Sequence, residues 1–349
     1  LWLIPLRHRI LRPFMGHLIC YVNLVCMGSF NLRRALRGGI IAIVVGLAGN
    51  LYAGGSGLNT VVVINQNSTN SVELGNYFCE RRQVPPENVL RVNWAGGNIS
   101  WTRTDFQSVL FRPLPAILAA RQLPIQIDYV VLSMDLPFQT LNGSVINSTT
   151  AALFYGLKTD SGPEWAGITN SYAASEQIFR QAKPASAPGP SFLATMLTAG
   201  SLAQAKALVD SGVNGDSTFP SRPVLLAKSS DPLRNLRYRL FDHAIFNVRL
   251  SSSANYSIAR VNADIPSTSP ALLGLQTGLP YFSVPANSFV PGAMADSMTS
   301  FGGIIFGPND QNTALTFIHA GASGSFGTVT EPQPVVDKFP NPQNYFYQS

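Results

Sequence analysis

Ionisable side chains are scarce in this chain: Asp, Glu, Lys and Arg make up 12% of its 349 residues, about half the share usual in a globular domain. Histidine (4) and cysteine (3) are scarcer still, and each shortage excludes something. Cys20 and Cys26 lie in the leader, which leaves Cys79 alone in the body and rules out an internal disulfide framework. Beyond the leader only His243 and His319 remain. Neither has a second histidine at metal-ligand spacing, so a His-rich zinc site is not indicated, and no metal or cofactor is expected. The net charge of +6 is not a nucleic-acid signature. Arg7, Arg9, Arg12, Arg33, Arg34 and Arg37 all fall within residues 1–53, which hold no acid, and the rest of the chain balances 18 basic against 18 acidic residues. A neutral body without a basic stripe lacks the clustered cations that phosphate-backbone binding needs.

What is present points to export. Residues 1–53 read as a leader containing a signal peptide that starts near Met27. Arg33, Arg34 and Arg37 form a positive n-region, Gly39 to Leu47 an apolar h-region, and Leu51-Tyr52-Ala53 a cleavage site ahead of Gly54-Gly55-Ser56-Gly57. The apolar run is short for a membrane span, which needs about 20 residues, so contact with a membrane is expected only in transit. The low charge and the abundance of Ser, Asn, Thr, Gly and Pro suit a periplasmic, cell-surface or extracellular protein. The 46% of apolar residues supplies a large core.

From residue 54 to 349 the pattern is that of a single α/β domain in which strand-like and helix-like runs alternate. NTVVVIN (59–65) is a β-branched run of the kind buried on both faces of a sheet. A helix over 72–82, capped by Ser68 or Asn70, is stopped by Pro85-Pro86. Strands are expected at 89–92, 128–134, 223–227, 256–261, 272–275 and 325–330. Thr102 and Asp105 approximate a capping box for a helix that Pro113 and Pro115 must kink or split. Residues 139–190 read as a long polar excursion, ending in the irregular KPASAPGP. Helices follow over 201–211, after Asp231-Pro232 and over 312–320. The expected architecture is a three-layer fold with a mostly parallel central sheet, Rossmann-like or caspase-like, holding the strands near 60–65, 129–134, 223–227 and 325–330 together.

Open α/β sheets bind ligands beyond the carboxyl ends of their strands, which singles out Asp135, in the Asp-Leu-Pro turn after 128–134, and Glu331, after the last strand. Ser300 and His319 complete the candidate set, with Gly302, Gly303, Gly321 and Gly324 permitting close backbone approach. Each has a plainer reading: a loop carboxylate for Asp135, helix C-terminal capping for His319, a backbone hydrogen bond for Glu331. Cys79, inside a helix pattern, reads as a small buried hydrophobe, and Met298-Thr299-Ser300-Phe301-Gly302 lacks the first glycine of a nucleophile elbow.

Several strings together carry a resemblance: VVVINQNSTNSVELGNYFCERRQVPPENV, the Asp135-Leu136-Pro137 turn, PGAMADSMTSFGG, and GASGSFGTVTEP followed by KFPNP. In these the chain resembles an uncharacterised family of exported bacterial proteins with a G-A-T-G-S-x-G-T-V-x-E-P signature. The likeness spans most of 59–342, implies bacterial export and implies no reaction. Gln333 stands where the pattern expects Cys, and the chain stops at Ser349 before the family's closing helix, which implies a truncated chain. The last third is also similar in part to gingipain-like peptidases of the caspase-like fold, but the Cys and His-Gly positions fall near Ser300 and Gly278 with neither catalytic residue type present. Two functions are therefore carried forward. One is a surface or periplasmic binding protein for a glycan or protein partner. The other is a peptidase-like hydrolase using Asp135, Ser300, His319 and Glu331.

Overall fold

The computed structural model describes residues 56–158, 192–250, 256–263 and 271–345, all within one unit, Tyr52–Ser349. The leader, the KPASAPGP string and most of the polar stretch before it lie outside the described residues.

The valine run forms β1 (Thr60–Asn65), buried along its whole length. It leads into α1 (Thr69–Arg82), where the Ser68 hydroxyl accepts from the Ser71 N–H as N-cap and Gln83, in left-handed conformation, closes the C-terminus. After β2 (Val89–Val92) and β3 (Ser100–Thr102), the expected kinked helix appears in three pieces. These are an α-turn Arg103–Asp105, a π-helical stretch Phe106–Phe111 and α2 (Pro113–Ala120). Pro113 cannot donate to the preceding turn, and the ladder is reset there. Next come β4 (Tyr129–Leu132), β5 (Gln139–Asn142), β6 (Val145–Ser148) and α3 (Thr149–Tyr155). The polar excursion therefore begins as ordered structure. Asn142-Gly143-Ser144 is a hairpin turn with Gly143 at φ 63°, a signal that the overall polarity of the region masks.

β7 (Leu193–Met196) and α4 (Leu202–Gly215) lead to β8 (Val224–Ala227). A 3-10 stretch, Leu233–Leu240, precedes α5 (Phe241–Leu250). The chain then adds β9 (Ile258–Val261), β10 (Leu272–Thr277), β11 (Phe289–Ser297), α6 (Ala314–His319) and β12 (Gly324–Phe326).

The fold is the expected three-layer α/β type with mostly parallel strands. Those strands are divided between two sheets where the sequence suggested a single one. The first runs β2-β1-β4-β7 and the second β12-β11-β10-β8-β9, both parallel throughout, and a small mixed sheet β3-β5-β6 stands apart. Within the first sheet, Val61, Val63, Val130 and Leu132 face a core built on Trp101, Phe106, Leu110 and Leu114. The alternate residues Val62, Ile64 and Val131 face Leu74 of α1 and Ala205 and Val209 of α4. Side chains alternate along a strand, so the valine run fills both cores at once, each fully buried valine stabilising by about 1.5–3 kcal/mol. The second sheet alternates likewise, placing Phe289, Ala293 and Ala295 with Phe317 of α6, and Val224, Leu226 and Leu273 with Phe241 of α5.

Helix α4 explains the division. It carries Ala205 and Val209 into the first sheet's core, and its far end brings Gly215 against Gly292 of β11, so close that a Cβ on Gly215 would overlap Gly292. It thus serves the first sheet with one end and the second with the other. The next strand, β8, then pairs with β9 and β10 rather than with β7. Polar contacts tie α1 to α4: Tyr77 donates to Asp210 at 2.7 Å, Arg81 pairs with the same carboxylate, Arg82 with Asp216 and Lys206 with Glu73.

Candidate functional site

In the first sheet the chain passes from β1 to β2 on one side and then adds β4 on the other. The carboxyl ends of β1 and β4 therefore frame a topological switch point, where open α/β sheets bind ligands. A cleft of about 530 Å³ opens there, lined by Asn65, Asn67, Ser68, Thr69 and Asn70 after β1, Trp94 to Asn98 after β2, and Asp135 after β4.

Asn65 builds the floor. Its amide nitrogen donates to the carbonyls of Trp94 and Asp135 at 3.0 and 3.1 Å, and its oxygen accepts from the N–H groups of Asn67 and Trp94. One buried side chain thus locks three strand ends, with no capacity left for a ligand. Asp135 has φ 60°, a left-handed conformation that Asp tolerates better than most residues. The resulting turn carries its carboxylate to the start of α1, where Oδ2 accepts from the Ser68 hydroxyl at 2.5 Å. The same hydroxyl accepts from the Ser71 N–H at 3.0 Å. Ser71 fastens this first turn to the sheet, its hydroxyl accepting from Asn65 N–H and its carbonyl from the Ser133 hydroxyl. On the facing wall Gly96 lies so near the Trp94 ring that a Cβ would overlap it, and the Trp94 indole nitrogen donates to the Gly97 carbonyl.

Polar groups remain unused around this frame. Asn67, Thr69 and Asn70 are exposed, and their side chains and that of Asn98 make no hydrogen bond among the described residues. The N–H groups of Thr69 and Asn70 open α1 without an intrahelical acceptor. Asp135 keeps Oδ1 without a partner among the described residues.

Of the four residues singled out from the sequence, Asp135 lines this cleft; Ser300, His319 and Glu331 do not. Ser300 follows β11 half-buried, its carbonyl accepting from the Thr328 hydroxyl at 2.7 Å. His319 is the exposed last residue of α6, beside Gly200. Glu331 accepts from the Gln333 N–H at 3.0 Å, a local turn bond of the plainer kind. The glycines near them serve backbone packing: Gly303 N–H donates to the Thr328 carbonyl at 2.8 Å, and Gly302 and Gly303 press against Gly327 so tightly that a Cβ on Gly327 has no room.

Two features escape a reading from sequence alone. One is Ser68, whose cap role is legible but whose carboxylate partner lies 67 residues away. The other is a buried polar cluster at the carboxyl ends of β10 and β11. Arg237 pairs with Asp296 at 2.5 Å, their side chains 3% and 4% exposed, and also donates to the Thr277 carbonyl. Gln276, opposite Asp296 in register, donates to that carboxylate and to the Pro340 carbonyl. Burial pushes the Asp296 carboxyl up from its ordinary range, while Arg237 and Gln276 pull the other way. The available signal was an acid inside the small apolar string Ala293-Met294-Ala295-Asp296, which a buried strand can hold only if the charge is paired. The cluster is closed over by Phe339 and Pro340 and presents nothing to solvent. No protein-family model, curated protein or solved structure matches the chain.

Proposed function

We propose that the protein is an exported bacterial binding protein of the periplasm or cell surface, and that it holds a hydroxyl-rich ligand of the glycan class in the cleft between β1, β2 and β4. The observation that carries this reading is the lining of the cleft: side-chain amides and a threonine hydroxyl without partners among the described residues, beside one carboxylate whose second oxygen is likewise unpartnered there. Sugars present paired hydroxyls that donate and accept at once, and side-chain amides and carboxylates complement that pattern. Export rests on the n-, h- and c-region order from Met27 to Ala53.

The peptidase-like alternative, built on Asp135, Ser300, His319 and Glu331, has less behind it, since only Asp135 of the four lines the cleft, and Cys79 supplies no nucleophile in their place. Cys79 is half-buried in α1, and burial pushes its thiol up to about 11, so it is protonated at neutral pH and poor as a nucleophile. Titration calorimetry of the mature chain against cello-, xylo- and chito-oligosaccharides tests the proposal. Saturable binding that falls at least about tenfold, roughly 1.4 kcal/mol, in Asp135→Ala and in Asn70→Ala is expected. Binding unaffected by both substitutions, or none across the panel, overturns it. Mass spectrometry of the exported fraction should find an N-terminus at Gly54; an intact leader on exported chain refutes the cleavage.

A further inference from the structure

In the same cleft a serine hydroxyl is hydrogen-bonded to a carboxylate. We infer that Ser68 and Asp135 form a catalytic dyad that hydrolyses esters, with O-acylated forms of the hydroxyl-rich ligand as the substrate class. The ester chemistry rests on the dyad alone, whereas the choice of acylated glycan rests on the binding reading above.

Three observations meet at one place. The Ser68 hydroxyl donates to Asp135 Oδ2 at 2.5 Å, within the reach a general base needs to take a nucleophile's proton. The N–H of Ser71 points at the same hydroxyl oxygen at 3.0 Å. Together with the positive end of the fourteen-residue α1, it stabilises negative charge that develops on Oγ. The N–H groups of Thr69 and Asn70 have no acceptor among the described residues and border the cleft, where they supply donors for an oxyanion. The dyad lacks an imidazole, and a carboxylate this close to the hydroxyl performs both transfers itself.

In the reaction, Ser68 Oγ forms a bond to the ester carbonyl carbon as its proton passes to Asp135 Oδ2. The carbonyl π electrons move to oxygen, which faces the Thr69 and Asn70 N–H groups. As the carbonyl re-forms, the bond to the alkoxy oxygen breaks, and the leaving alcohol takes the proton from Asp135. Water then attacks the acyl-serine, losing its proton to Asp135, which returns it to Oγ as the carboxylic acid departs. Water is the one co-reactant and no redox change occurs. An ester suits the dyad better than an amide, since an alkoxide leaves with less protonation than an amine requires.

The experiment uses the full mature chain with two substrates, 4-nitrophenyl acetate and acetylated xylan, read as nitrophenolate and acetate released, and with a fluorophosphonate probe located by peptide mass spectrometry. The variants are Asp135→Asn and Ser68→Asn. Asn is itself a good N-cap, so the second removes the nucleophile while keeping the helix start, and circular dichroism confirms the fold. The expected result is turnover by the wild type with the probe on Ser68, and loss of about 10²–10⁴-fold in each variant. Turnover unchanged in Ser68→Asn, or no turnover and no labelling in the wild type, overturns the dyad. If folded Ser68→Asn binds xylo-oligosaccharides while the wild type cleaves neither ester, the binding reading stands and the dyad falls. If 4-nitrophenyl acetate is cleaved through Ser68 but no glycan binds and acetylated xylan is untouched, the dyad stands and the glycan assignment falls.

Discussion

Replacing Arg237 by Ala strands the Asp296 carboxylate in the second sheet's core. In the wild type the guanidinium pairs with Asp296 at 2.5 Å and donates to the Thr277 and Pro340 carbonyls. No solvent reaches the pair to compensate, since both side chains are under 5% exposed. Removing one partner of a buried ion pair typically costs about 3–5 kcal/mol, most of it the penalty of the charge left behind. At roughly 2–4 °C per kcal/mol for chains of about 150–250 residues, the melting temperature should fall by something on the order of 6–20 °C.

The pH dependence supplies a second, independent check. Burial already raises the Asp296 carboxyl, and Arg237 is the largest influence opposing that rise, so the variant's carboxyl rises further. A carboxyl whose folded pKa lies above its unfolded value of about 3.9 gives its full contribution below that value and loses it as pH climbs through the folded pKa. The deficit of Arg237→Ala should therefore be smallest in acid and widen toward neutrality. Urea unfolding of wild type and variant at pH 5 and pH 8 measures it. A loss under about 1 kcal/mol, small beside the cost of a stranded buried charge, or a deficit flat across that range, would refute the reasoning. The double substitution Arg237→Met with Asp296→Leu, which removes both charges, should recover much of the loss.

Other substitutions test other parts of the fold. Gly327→Ala forces a methyl into the backbone of Gly302 and Gly303, and a loss of about 1–3 kcal/mol by thermal unfolding is expected; a neutral result means the two loops are not in contact. Cys79, with its thiol pushed to about 11, should react with iodoacetamide at pH 8 on the order of a hundredfold more slowly in the native protein than in urea, where the thiol returns to about 8.5; equal rates would contradict its burial. Ser68→Ala should destabilise by about 1 kcal/mol through loss of the cap, with Ser68→Asn close to wild type; the reverse order would show that capping is not its structural role. Arg81→Ala breaks a pair whose side chains are 39% and 38% exposed, so its effect on urea stability should stay below about 1 kcal/mol.

What could be read from the sequence was whatever is encoded locally. The run Val61 to Ile64 announces a strand buried on both faces because every residue in it is apolar and β-branched, and the structure places alternate residues in two cores. Ser68, Pro113 and the caps around them were visible because capping and proline act within one turn. The division into two sheets was not visible. It depends on where α4 ends and on Gly215 meeting Gly292, a contact between segments 77 residues apart that no periodicity records. β11 was hidden for a related reason: Pro291 and Gly292 interrupt its pattern, and the register with β10 shifts beside them, as expected where proline and glycine sit within a strand.

The candidate site follows the same division between local and distant information. Position in an α/β sheet is a topological property, so Asp135 could be placed at a ligand-binding edge from strand order alone. The same logic put Glu331 at a strand end too, but the last strand closes at Phe326 and belongs to a different sheet; Ser300 follows β11 of that sheet, the strand hidden in the sequence. Knowing that a residue follows a parallel strand says which edge it occupies, and says nothing of which sheet. Ser68 shows the converse: its type and position were legible as a helix cap, while its chemical character depends on what the left-handed turn at Asp135 brings to it. A hydroxyl that caps a helix accepts one hydrogen bond and still has a proton to give, and in this fold that proton is directed at a carboxylate in an open cleft. The capping geometry and the proposed chemistry therefore do not compete for Ser68; the N–H that the cap satisfies is the same group that steadies the oxygen when its proton leaves.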